Sequence, residues 1–394
     1  MLLLKYNILM LICLLIIIIK GYSKKHKHNN NDDDNYEQQY EYSYKYKAID
    51  KDNDDDTSPT NIYTNHAGNV VIVGDKLGNI LRSTDYGKNW DYQSKSLYDE
   101  KTYLYIAGLV MNEAGDEMLV STNTDTIFYS SNYGKTFSIR SSDRQCSIMA
   151  SSIDLKTIVC IGGQVATIDT STGDDDDDDD VDDDGIDSVN LNYLYYSHDS
   201  GYTWKKSNSK HARWIGLLSN EDSSWIVGVI RHKLQYTWAS SDGGKTYSNI
   251  NDEEINNWGV LCGSKDLTTM MMTDTSSRNV HISEDYGYTW TQIYNGEDND
   301  ESVTLNSCAV AANSYEDSDT DIELAIGFSG TSMKVVYGCD PHTETAHCAD
   351  RWYDTGSSDS SAATYSVALS KDGKYFYSVD AGTMKVSIGH RESI

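Results

Sequence analysis

From about residue 58 onward the chain is a succession of short apolar runs separated by Gly, Asn, Asp and Ser. "NVVIVGD" at 69 and "NILRSTD" at 79 set the pattern, with β-branched residues between turn formers, which predicts strands joined by tight turns. Residues 257–294 show a full unit: "WGVLCGS" reads as an inner strand, "MMMTD" as a second, "VHISED" as a third and "WTQIY" as a fourth. No stretch shows a sustained helical period. Prolines number only 2 while tyrosines number 30, which favours an all-β fold over a helix bundle.

One phrase recurs at the end of each third strand. It reads "STDYGKNW" at 83, "SSNYGKTF" at 130, "SHDSGYTW" at 197, "SSDGGKTY" at 240 and "SEDYGYTW" at 283, at intervals of 47, 67, 43 and 43 residues. The long interval contains an Asp-rich insertion at about 171–189, so the underlying period is that of one four-stranded blade. Two further units lack the phrase but echo each other in "GTSMKVVYG" at 330 and "GTMKVSIG" at 382. The expected architecture is therefore a seven-bladed β-propeller, with six blades as the alternative count, in which radial repetition leaves only short protected sheet edges. The last unit stops at its third strand, and the N-terminal "YSYKYKAID" is a candidate for its missing fourth.

The phrase itself reads as a self-satisfied hairpin. Gly87, Gly134, Gly201, Gly244 and Gly287 supply positive φ. Ser83, Ser130, Ser197, Ser240 and Ser283, with Asp85, Asn132, Asp199, Asp242 and Asp285, satisfy turn backbone groups. Trp90, Phe137, Trp204, Tyr247 and Trp290 fill space between strands. On these residues the chain resembles the Asp-box, or BNR, repeat propellers, a group that includes sialidases, sortilin-type receptors and a photosystem II assembly factor. The resemblance covers roughly residues 61–390 and implies a fold; in that group the boxes lie on the face opposite the ligand, so it implies little about activity.

The flanks read differently. "MLLLKYNILMLICLLIIIIKGYS", residues 1–23, has the layout of a secretory signal peptide, with an uncleaved anchor as the alternative. Residues 24–57 are polar, repetitive and poor in aliphatic side chains, and are expected to be disordered. Six cysteines follow, an even number in a presumed oxidising compartment, and Cys339 and Cys348 in "CDPHTETAHC" are candidates for a small disulfide loop. The His spacing in that loop is too weak for a metal site, and no metal is expected. There is no N-x-S/T sequon. The expected location is extracellular, free or surface-anchored.

The formal charge of −29 argues against nucleic acid as a partner. About a third of it comes from one run, Asp174 to Asp184, so the folded part is less extreme. That run is expected to be a solvated insertion; a sharper expectation has it fold over the arginine rim as an internal competitor of the ligand, or bind calcium weakly through its carboxylates. No other cofactor is expected.

Propeller ligands usually meet the loops that enter each inner strand and those that join second to third strands. Here these carry Lys76, Arg144, His211, Arg213, Arg231, His232, Lys233 and Arg278, with Tyr103, Tyr365, Trp214 and Trp258 beside them. Arg144, Arg213, Arg231, Arg278, His211, Trp214 and Trp258 are the candidate ligand site, a cationic rim with rings that suits an anionic glycan, and the expected function is binding of carbohydrate or protein. Catalysis is not expected. A sialidase-type glycoside hydrolase is the alternative, yet the Arg-Ile-Pro motif of such enzymes is absent, and Asp125, Asp274 and Asp380 cannot be ranked as acids.

Overall fold

The computed structural model describes residues 40–48 and most of 59–393, apart from 163–191, 295–304, 313–321, 340–351, 355–363 and several shorter loop stretches. The described residues form strands, turns and bends, with no helix.

Among the described residues twenty-eight strands make seven four-stranded sheets, and every strand pair within them is antiparallel. After β1 (Tyr40–Ala48), blade 1 takes β2 (Pro59–Thr64), β3 (Val71–Asp75), β4 (Ile80–Ser83) and β5 (Asp91–Gln93). Blade 2 takes β6 (Ile106–Met111), β7 (Met118–Thr122), β8 (Ile127–Ser130) and β9 (Ser138–Ser141). Blade 3 takes β10 (Ile148–Ser151), β11 (Ile158–Gly162), β12 (Tyr193–Ser197) and β13 (Lys205–Lys206). Blade 4 follows with β14 (Trp214–Ser219), β15 (Ile226–Ile230), β16 (Thr237–Ser240) and β17 (Ser248–Asn249). Blade 5 comprises β18 (Trp258–Gly263), β19 (Met270–Asp274), β20 (Val280–Ser283) and β21 (Thr291–Tyr294). Blade 6 comprises β22 (Leu305–Ala312), β23 (Ile322–Phe328), β24 (Lys334–Cys339) and β25 (Trp352–Asp354). Blade 7 has β26 (Thr364–Leu369), β27 (Tyr375–Asp380) and β28 (Lys385–Ser393).

The inner strands β2, β6, β10, β14, β18, β22 and β26 each touch the next, and β26 touches β2, so the blades close into a ring. The four strands read from residues 257–294 coincide with β18 to β21. Blade 7 is completed by the N-terminal strand: β1 runs antiparallel to β28 over nine residue pairs, from Tyr40 with Ser393 to Ala48 with Lys385. The expectation of disorder over 24–57 therefore does not hold for Tyr40–Ala48, because pairing with β28 supplies the backbone partners that its own side-chain composition could not replace. The rest of that segment, and residues 1–23, lie outside the described residues.

Hydrophobic alternation fails where the blades are stacked on both faces. Strands β3, β7, β11 and β15 are buried at every position, as sheets covered on both sides require. The core is accordingly a series of blade-to-blade clusters, for example Val110, Leu119, Ile127, Met149, Ile158 and Tyr195 between blades 2 and 3.

Two kinds of turn share one end of the ring, here called the hairpin face: the turns between first and second strands, and the repeated phrases between third and fourth. The first set forms a second, smaller ring. The Glu113 amide donates to the Ile153 carbonyl (3.1 Å), Ile153 to Glu221 (2.7 Å) and Lys371 to His66 (2.8 Å), each linking neighbouring blades. At the opposite end, the loop face, six of the seven inner strands carry a register shift near their start, as at Trp214/Gly216 and Thr364/Ser366. The exception is β10, and there a disulfide, Cys146–Cys160, ties the entering loop to β11. A second disulfide, Cys262–Cys308, joins the inner strands of blades 5 and 6. Cys339 ends β24 and Cys348 lies outside the described residues, so the loop between them is not described.

Candidate functional site

The repeated phrase is a closed hydrogen-bond circuit. In the third copy Ser197 donates to Asp199 Oδ1 (2.7 Å) and accepts from the Gly201 amide (2.9 Å). Asp199 in turn accepts from the Thr203 amide (2.8 Å) and hydroxyl (2.6 Å). The same circuit is built on Ser83 and Asp85, Ser240 and Asp242, and Ser283 and Asp285. It survives with Asn132 in the second copy, where the amide group donates to the Thr136 hydroxyl (2.8 Å). Partial burial works to raise Asp85, Asp199, Asp242 and Asp285, but the hydrogen bonds they accept outweigh it and hold all four below the usual carboxylate range. These carboxylates are engaged in their own turns, which leaves them poorly placed for catalysis.

The glycine of each phrase sits at positive φ, and so does the residue before it: Tyr86, Tyr133, Ser200, Gly243 and Tyr286. The glycine also faces the preceding blade. A Cβ on Gly201 would lie 2.5 Å from Leu119, and one on Gly244 2.4 Å from Val159. Phe137, Tyr247 and Trp290 pack into blade clusters, as do Trp90 and Trp204. The phrase is therefore a joint between blades as well as a turn.

On the loop face the candidate residues divide. Arg144 is half-buried with its guanidinium 3.9 Å from the Tyr195 ring centroid, and its amide donates to the Asp125 carbonyl (3.1 Å). His211 is exposed and stacks on Tyr193 at 4.0 Å, while the Lys206 ammonium lies 3.2 Å from the same ring's centroid. Tyr193 and Tyr195 are two residues apart on β12 and so project to one side of blade 3. Lys210 and Arg213 are exposed on the loop that follows. Arg144, Lys206, Lys210 and Arg213 form no ion pair among the described residues. Sequence reading passed over Lys206, because its reach to Tyr193 depends on the β12 to β13 pairing.

Trp214 does not belong to this surface. It is 3% exposed in the core of blade 4, edge-on to Trp238, with its indole N–H donating to the Lys210 carbonyl (3.0 Å). The register shift at the start of β14 turns it inward, and Gly228 leaves the room it fills: a Cβ there would come within 2.8 Å of the indole. Trp258 opens β18 and Tyr365 lies in β26, but their side chains are not described; Lys76, Tyr103, Arg231, His232, Lys233 and Arg278 lie outside the described residues altogether. So does the Asp-rich insertion, although its flanks do not: Gly162 and Tyr193 pair directly, so 163–191 leaves blade 3 beside this cluster.

Of the candidate acids, Asp274 and Asp380 are described by their strand register and not by their side chains. Asp274 pairs with Trp258 and Asp380 with Thr364, the same register as Asp75 with Pro59. Asp75 is fully buried and accepts from the Asn79 amide (2.8 Å) and side chain (2.6 Å), a turn-closing role. No group of His, Cys, Asp and Glu that could hold a metal ion occurs among the described residues.

No protein-family model matches the chain, and no curated protein matches it. Solved structures do. YCF48 bound to D1 peptide is 10% identical, with a TM-score of 0.55, over 88% of this chain and 96% of that one. The β-propeller domain of Cps50 (Swd1) from Myceliophteria thermophila is 8% identical with a TM-score of 0.57, over 89% of this chain and 100% of that domain. The GH74 enzyme of Niastella koreensis is 12% identical with a TM-score of 0.52, over 84% of this chain but only 43% of the enzyme. Identities this low carry the architecture alone, and on that evidence the chain is a β-propeller.

Proposed function

We propose that this chain is a non-catalytic binding propeller of the Asp-box kind that takes an acidic protein segment on its loop face, at the edge of blades 2 to 4. One observation carries the reading: Arg144 at the Tyr195 ring, Lys206 at the Tyr193 ring, and the exposed Lys210 and Arg213 on the loop after β13 form no ion pair among the described residues of an otherwise acidic protein. Carboxylate, sulfate and phosphate are the groups such cations recognise. A solved relative in fold, YCF48, is bound to a D1 peptide, which supports a peptide over a sugar as the ligand. Two disulfides support an oxidising, extracellular setting.

The test is titration of the folded chain with an Asp/Glu-rich peptide and its Asn/Gln counterpart at low and high salt, alongside sialylated and sulfated glycans. The acidic peptide should bind more tightly than its neutral counterpart and weaken with salt. Arg213→Ala with Lys210→Ala should weaken it about tenfold, near 1.4 kcal/mol. Equal binding of both peptides, or an unchanged double variant, removes the reading; glycan binding with no peptide binding replaces it with the carbohydrate one.

A further inference from the structure

Blade 7 ends in a strand unlike the other outer strands. β5, β9, β13, β17, β21 and β25 run for only 2 to 4 residues each, whereas β1 runs for 9 and contains no proline. Its inner edge pairs with β28 along its whole length, and its outer edge pairs with no strand among the described residues. Very short outer strands are one way of blunting a sheet edge, and blade 7 lacks it. What remains is a long row of outward amides and carbonyls, a template for one more strand.

The sequence of β1, "YEYSYKYKA", is complementary to itself when reversed. Antiparallel pairing about Tyr44 uses the whole strand: Tyr44 meets Tyr44, Tyr42 meets Tyr46, Ser43 meets Lys45 and Glu41 meets Lys47. Every pair but the central one occurs twice, as a two-fold axis requires. One face of the joined strands then carries the tyrosines at 40, 42, 44 and 46, and the other carries both Glu41–Lys47 pairs; aromatic and opposite-charge neighbours are favourable across strands. Other registers lose this match. A slip of one residue opposes every tyrosine to a polar residue, and a slip of two either sets Lys45 against Lys45 or carries Lys47 beyond the paired stretch. Edge lysines usually repel a second copy, yet in the full register neither meets another lysine. The fold adds a reason for a partner. Within blade 7 Glu41 lies opposite Glu392, an unfavourable like pair, and a lysine arriving on the other side of Glu41 offsets it. We propose that β1 docks on β1 of a second copy, antiparallel about Tyr44, so that the two blade 7 sheets become one continuous sheet across a two-fold axis. A single strand edge is smaller than the roughly 1,200 Å² of a stable complex, so the dimer forms in the micromolar range, with a Kd of about 10 μM. It draws on none of the loop-face residues.

The experiment is sedimentation velocity of the full folded chain from about 1 to 100 μM, where monomer should pass to dimer. Lys47→Glu turns both Glu41–Lys47 pairs into like pairs and should weaken the dimer about tenfold with the melting temperature retained; Glu41→Lys should do the same. Mixed together, the two variants carry opposite charges at both positions and should form a heterodimer at a concentration where each alone is monomeric. A chain that stays monomeric up to about 100 μM overturns the proposal. So does a dimer of unchanged affinity in both single variants, which would mean that another segment, or exchange of β1 between copies, holds it. A mixture that associates no better than its two components overturns it as well.

Discussion

At the residue scale, the second copy of the phrase is a natural control for the others. Asn132 keeps the acceptor for the Thr136 amide and reverses the side-chain hydrogen bond, so the circuit needs an oxygen at this position and not a charge. Asp199→Asn should therefore cost little at pH 7, whereas Asp199→Ala removes the acceptor from three donors and should cost about 1 kcal/mol, the site being exposed. Ser197→Ala should cost more, about 1 to 3 kcal/mol, because it strands the buried Gly201 amide. The carboxylates also tie stability to pH. Their folded pKa values lie below the unfolded value of about 3.9. Their contribution is thus fully present above that value and is lost as pH falls through the lower folded values; Asp154, held down to about 2 chiefly by Ser152 and Lys156 against partial burial, behaves likewise. Melting curves at pH 7, 5 and 3 should show a combined Asp85, Asp199, Asp242 and Asp285→Asn variant losing less between pH 5 and 3 than the parent. Parallel losses in the two proteins would refute the assignment.

At the scale of elements, strands and turns were legible because five units repeat the same local chemistry, and the phrase marks one turn in each of those five blades. Cysteine pairing was not. The even count pointed to disulfides and sequence spacing singled out Cys339 and Cys348, a pair that lies partly outside the described residues, whereas the two bridges described, Cys146 to Cys160 and Cys262 to Cys308, carried no spacing signal. The second pair is brought together only by the packing of β18 against β22, which belong to different blades and share no local signal. Trp214 escaped for a similar reason: a one-residue register shift sends it to the core, and such a shift leaves no mark on the hydrophobic pattern. The chain-entropy model gives a stabilisation of about 4 kcal/mol for a bridge spanning 46 residues. Cys262→Ala with Cys308→Ala should lower stability by that amount in denaturant titration, and peptide mapping without reductant should recover Cys262 and Cys308 in one linked fragment. Two free thiols at those positions would dismiss the bridge.

At the scale of the whole molecule, the ring is closed by two contacts, the packing of β26 on β2 and the pairing of β1 with β28. The count of blades could be read from the period, and the need for a borrowed fourth strand from the early end of the last unit. Composition read the polar, tyrosine-rich segment 24–57 as disordered, yet "YSYKYKAID" within it was the candidate for that strand, and Tyr40–Ala48 does pair with β28, because pairing is a backbone property. In an open array each unit leans only on its neighbours, and the ends fray first. Closure gives blade 7 a second neighbour, and β1 adds the outer edge that holds β28 in place. A chain starting at residue 58 keeps all seven inner strands but exposes the edge of β28, so it should melt lower by on the order of 5 °C. It should also lose hydrogen-exchange protection in β26 to β28 before β14 to β16, where blade 4 has both neighbours intact. Adding a synthetic peptide of residues 40–48 in excess should restore part of the loss, because the pairing needs no covalent link. An unchanged melting temperature, or fraying spread evenly over all blades, would mean that the ring holds without the N-terminal strand and that its inner contacts alone set its stability.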